Sequence, residues 1–135
     1  MIPRLALAGF VLAHAAIHLG FVSPRPPDAG TTGPAWPFDL GRSWILSPLG
    51  VDPGIVRLLG LALVGAIVGG FALGALAAIG VAPAVWTPGV VTGTVASTAL
   101  LILFFHPWLV LGLAIDAALL WLTLAHQWSP EALTS

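Results

Sequence analysis

A single carboxylate, Asp116, stands in the run WLVLGLAIDAALLWLTLA, whose other residues all suit hydrocarbon. A carboxylate at bilayer depth costs about 3 kcal/mol on insertion scales, so such a residue is expected to have a partner and often a task. The first apolar stretch offers two imidazoles, His14 and His18. Spaced i, i+4, they share one helix face. At about 1.5 Å rise per residue, His14 lies about 12 Å below the surface from which residue 23 emerges, and His18 about 6 Å. Entering from the same side after Pro107, Asp116 lies about 13 Å deep, level with His14. Ser97 falls near that level, with Thr94 and Thr98 within a turn of it, and His106 sits at the mouth.

Three kinds of site fit these residues. One is a purely structural cluster in which Asp116 accepts hydrogen bonds from His14 and Ser97. Polar contacts between membrane helices average about 0.6 kcal/mol, enough to fix register. The second binds a small molecule, a lipid or a proton, because an Asp–His pair within the membrane can exchange protons near neutral pH. The third is a metal or haem centre. His14, His18 and Asp116 have the donor types of a three-ligand zinc or non-haem iron site. HAAIH lacks the glutamate of a zincin motif. An i, i+4 pair also cannot supply both axial ligands of one haem.

Composition removes most other chemistry. There is no cysteine, which excludes disulfides, thiolate metal sites and thiol nucleophiles. Absence of lysine and tyrosine removes Schiff-base, Walker-type and phenol chemistry. Net charge is −1 with scattered arginines, which gives no footprint for nucleic acid. Only 7% of residues are charged and 59% are hydrophobic, against about 25% charged in soluble domains. The expectation is one transmembrane domain spanning residues 1–135.

Four elements must therefore position the polar residues. The first span covers about 5–22. Arg4 before an apolar stretch and Ala13-His14-Ala15 also fit a signal peptide loosely, but the apolar run continues to Val22, so a retained span is expected. Pro24, Pro26, Pro27, Gly30, Gly33, Pro34, Pro37 and Pro48 break the pattern over 23–52. Within that connection Trp36, Phe38, Trp44, Ile45 and Leu46 mix with Asp39 and Arg42, as suits a segment at about 38–50 lying in the membrane interface. Asp52-Pro53 reads as N-cap plus proline, opening a second span over about 54–81. Pro83 ends it, Thr87-Pro88 repeats the cap signal, and a third span covers about 88–105. His106-Pro107 breaks the chain before a fourth span, about 108–127. The polar tail SPEALTS is too short to fold alone. Trp86 and Trp128 fall at one interface and Trp36, Trp44 and Trp108 at the other, as in an aromatic belt. His126 suits the helix C-terminal dipole, and Arg57 snorkels or pairs with Asp52 or Asp39.

Gly65, Gly69, Gly70 and Gly74 in the second span, with Gly89 and Gly93 in the third, form small-xxx-small patterns that let helix backbones approach. They serve packing within the chain, or a homo-oligomer or partner subunit. Counting arginines alone, with Arg25, Arg42 and Arg57 near the 23–53 connection, would place that connection inside; the short amino terminus with Arg4 before the first span argues the reverse, and both termini are expected in the cytoplasm.

HAAIHLGF, SWILSPLGVDPGIVRLLGLAL and FHPWLVLGLAIDAALLW resemble segments of small four-span membrane proteins of actinobacteria and related bacteria, which often carry an HGLIHL-type first helix. The resemblance covers most of the chain apart from residues 24–36 and the tail. It implies a fold and a bacterial inner-membrane address but no activity. Ala15 stands where that family commonly has glycine. Together these features predict an all-α, four-helix antiparallel membrane bundle. The expected role is non-enzymatic binding of a small hydrophobic ligand, lipid or partner subunit, with zinc, iron or haem redox chemistry as the alternative.

Overall fold

The computed structural model describes residues 1–27, 29 and 36–133. Gly30, Gly33 and Pro34 of the first connection, and Thr134 and Ser135 of the tail, lie outside the described residues. Among the described residues all regular structure is helical. Helix α1 spans Ile2–His18 and tightens into a 3-10 turn over Leu19–Val22. Helix α2 spans Pro53–Ala78. Helix α3 spans Trp86–Leu103 and is led by a 3-10 turn at Pro83–Val85. Helix α4 spans Val110–Leu120, led by Pro107–Leu109 and continued by one π-helical turn, Trp121–Ala125. With these extensions, four helices are long and apolar enough to cross a membrane.

The helix ends follow local chemistry. Asp52 caps α2 as its sequence implies, its carboxylate accepting from the N–H groups of Gly54 at 2.8 Å and Ile55 at 3.2 Å. The other end of α2 comes earlier than the expected Val81. Gly80 adopts φ +88°, Val81 N–H donates to Leu76 and Gly80 N–H to Ala77, the two bonds of a Schellman closure. At α3 the expected cap is wrong. Thr87 already lies inside the helix, Val85 precedes it without a side-chain cap, and Pro83 opens the leading turn. Pro88 then falls in the first turn of α3, where no N–H is required of it. Arg57 forms no ion pair with Asp52 or Asp39. Those carboxylates are occupied by backbone N–H groups, Asp52 at its helix start and Asp39 at Gly41.

Packing is tightest between α2 and α3, followed by α1 on α2 and α3 on α4. The first of these rests on glycine. A Cβ on Gly70 would stand 2.5 Å from the Gly93 nitrogen and 2.7 Å from the Gly89 oxygen, so the backbones touch. Gly74 faces Val90, and Gly89 faces Gly70 and Gly74. Gly65 and Gly69 differ, since each is exposed with nothing within 4 Å of an added Cβ. Gly70, Gly74, Gly89 and Gly93 thus serve packing inside the chain.

Residues 38–50 form no helix; successive turns run over 44–50. They fasten the end of α3, whose last carbonyls have no intrahelical partner. Ser43 Oγ donates to the Leu103 carbonyl at 2.6 Å, and Trp44 Nε1 to the Ile102 carbonyl at 2.6 Å. Leu40 plugs the notch at Gly60 beside Phe104, while Phe38 lies over Gly20. At the opposite end, Trp86 Nε1 donates to the Trp128 carbonyl at 3.1 Å and the two indoles meet edge to face. Arg4 donates to the Pro130 carbonyl at 3.3 Å, which ties the tail turn Pro130–Leu133 to the start of α1.

Candidate functional site

The polar residues singled out along the chain converge between α1, α3 and α4. His14 Nε2 lies 2.9 Å from Asp116 Oδ1. Ser97 Oγ lies 2.6 Å from Asp116 Oδ2 and 2.8 Å from His18 Nε2. His18 Nδ1 lies 3.0 Å from the His14 carbonyl, one helical turn back on α1. Thr98 Oγ1 donates to Asp116 Oδ2 over a longer 3.4 Å. Asp116 and Ser97 are fully buried, with His14 and His18 exposed by only 3% and 2%. Within this cluster nearly every polar atom thus has a partner, as burial of polar atoms requires. The exception is His14 Nδ1, which is buried without a partner. That exception identifies the tautomer. Asp116 Oδ1 accepts, so His14 donates from Nε2 and its Nδ1 is a bare lone pair.

The imidazole of His14 is wedged between aromatic edges. Its ring meets His18 at 5.2 Å between centroids and Phe71 of α2 at 5.3 Å, both edge to face. Phe71 is fully buried and in turn fills the notch at Gly93. The glycine seam between α2 and α3 therefore sets the position of the ring that holds His14.

Thr94 does not join the cluster. Its hydroxyl turns back onto the Val90 carbonyl of its own helix, as a helical threonine readily does. Thr98 takes the place expected of it. His106 also stands apart, accepting from Trp108 N–H at 3.3 Å to cap the turn before α4. His126, at the far end, packs against Trp121 at 4.1 Å.

No family model, curated protein or solved structure matches this chain.

The residues do not fit a metal or haem centre. Both His18 nitrogens are already engaged, by Ser97 and by the His14 carbonyl, and the point on which His18 and Asp116 converge is occupied by Ser97 Oγ. Among the described residues no group of three His, Asp or Glu side chains is arranged to hold a metal ion. A cavity of about 110 Å³ does adjoin the cluster, between α1 and α4. His14 and His18 form its inner wall, with Ile17, Phe38, Trp108 and Ile115 around it. It is far below the roughly 300 Å³ at which sites for drug-sized ligands begin, and so too small for a haem. Its size and apolar walls suit the end of a hydrocarbon chain.

Proposed function

We propose that this chain is a non-enzymatic integral membrane protein, a four-span antiparallel bundle that receives the apolar end of a small lipid or other hydrophobic ligand between α1 and α4. Several contacts support the antiparallel order. Gly70 meets Gly93 while Gly60 lies near Phe104, and Gly74 lies near both Val90 and Val11; His14 pairs with Asp116 while Arg4 reaches Pro130. Membrane placement is supported by the outward faces. Leu58 is 67% exposed, Leu111 71% and Trp108 65%, a surface that water does not tolerate over so wide an area. A bacterial inner-membrane address with both termini in the cytoplasm belongs to the same proposal. The outward pair Gly65 and Gly69 leaves room for a partner helix.

The observation that carries the ligand reading is the cavity, because α1 and α4 pack more loosely than the other neighbours and leave the gap open beside the buried histidines. Native mass spectrometry of protein released from its own membrane tests it. A stoichiometric lipid or smaller hydrophobic adduct is expected, and Ile17→Trp, which closes the gap from its exposed rim, should remove it. An adduct unchanged by Ile17→Trp, or none in the unmodified protein, would overturn it. Elemental analysis and a visible spectrum of the same sample address the alternative. A stoichiometric metal lost on His14→Ala, or a Soret band, would restore the metal or haem reading.

A further inference from the structure

The hydrogens of the cluster are constrained by its donors and acceptors. The His14 carbonyl can only accept, so His18 Nδ1 must carry a hydrogen. Ser97 has one hydroxyl hydrogen but two close neighbours, His18 Nε2 and Asp116 Oδ2. If that hydrogen points to Asp116, His18 Nε2 must donate to Ser97, and His18 is an imidazolium. If it points to His18, Asp116 must donate to Ser97, and Asp116 is a carboxylic acid. A neutral His18 beside an ionised Asp116 satisfies neither, because two lone pairs would then face each other across one short contact.

We propose that His18, Ser97 and Asp116 hold one mobile proton as a unit, with Ser97 Oγ passing it between His18 Nε2 and Asp116 Oδ2. The transfer balances. The Nε2–H bond of His18 breaks as that proton joins Ser97 Oγ, and the original Ser97 proton leaves for Asp116 Oδ2. Imidazolium plus carboxylate becomes imidazole plus acid, and the cluster stays neutral throughout. Neutrality matters because an uncompensated charge in this buried setting is heavily disfavoured. The titratable groups facing His18 are His14 from its own helix and Asp116 from α4. From α3 the cluster meets the hydroxyls of Ser97 and Thr98, and from α2 the ring of Phe71. His14 keeps its hydrogen on Nε2 in both states and serves as a fixed donor that positions Asp116. None of this depends on what fills the neighbouring cavity.

The test uses the whole protein in lipid nanodiscs with labelled histidine, His106 and His126 being replaced by glutamine so that two imidazoles remain. Nitrogen NMR reads protonation of each His18 nitrogen, and infrared spectroscopy reads the acid carbonyl band of Asp116. At neutral pH, either His18 is doubly protonated with no acid band, or His18 carries only Nδ1–H and the acid band is present. His18 singly protonated with Asp116 ionised would overturn the proposal. On raising the pH, the one shared proton should leave in a single step, read as loss of whichever signal is present, the second His18 N–H or the acid band, and Ser97→Ala should uncouple the two groups. Loss of two protons from the cluster, one seen at His18 and one at Asp116, would refute the relay. Asp116→Asn supplies a check that does not depend on Ser97→Ala folding. The amide can donate to Ser97 and accept from His14, so His18 should remain the neutral Nδ1–H tautomer across the whole range. A doubly protonated His18 in that variant would show that its proton is unrelated to Asp116.

Discussion

At the scale of single residues, the pair His14–Asp116 should behave as one energetic unit. Asp116→Leu leaves His14 Nε2–H without its acceptor, at about 1–2 kcal/mol. Leucine at both His14 and Asp116 should recover much of that loss, and denaturant unfolding in detergent measures the four corners of the cycle. Strictly additive losses would mean that the two residues are independent. Asp116→Asn should unfold close to the unmodified protein, since an amide can accept from His14 and donate to Ser97 and gives up only the long Thr98 contact. This pairing was legible in the sequence, because depth along two spans entering from the same side put both residues level. The rest of the cluster was only partly so. His18 was recognised as sharing a face with His14, but its link to Asp116 runs through Ser97, and no spacing rule reveals a relay between three helices. Thr94 was misplaced because depth says nothing about rotamer. Its nearest acceptor is the carbonyl four residues back, and a helical threonine finds it before any neighbouring helix can.

Among elements, the α2–α3 seam and the 38–50 segment make separable predictions. Gly70→Ala must push a methyl against the Gly93 nitrogen, with the first contact at 2.5 Å. Backbone cannot swing aside as a side chain can, so a loss of about 1–3 kcal/mol is expected. Gly65→Ala and Gly69→Ala have open space and should be neutral within error. Equal effects at all three positions in a thermal unfolding series would contradict the seam. Ser43→Ala removes the donor on the Leu103 carbonyl and the acceptor for the Ile45 and Leu46 N–H groups. It should cost about 1–3 kcal/mol and loosen the end of α3, visible as faster amide exchange over residues 100–103. The small-xxx-small pattern pointed to these glycines but could not say which face each occupies. Residues 38–50 looked interfacial from composition. Their role in fastening α3 was hidden, because Ser43 is near Leu103 only after the chain has passed through an entire helix pair.

For the whole molecule, the four-helix count was the most legible property, since proline, Asp52 and long apolar runs delimit each helix through purely local effects. Cysteine scanning tests the proposed membrane placement without any native cysteine to remove. Leu61→Cys, Gly65→Cys and Leu73→Cys lie on the outward face of α2 and should resist a water-soluble maleimide, while Arg25→Cys should react readily. Equal labelling would place that face in water and end the proposal. The loose seam between α1 and α4 also has a consequence in time. His14 and Asp116 are 102 positions apart, and ribosomes add about 5–20 residues per second. The first helix therefore waits roughly 5–20 s for its partner to be made. Throughout that interval His18 can already meet the His14 carbonyl and then Ser97 of α3, but His14 Nε2 has no acceptor until α4 arrives. A chain that stalls before Asp116 would keep that one imidazole unmatched among its apolar neighbours.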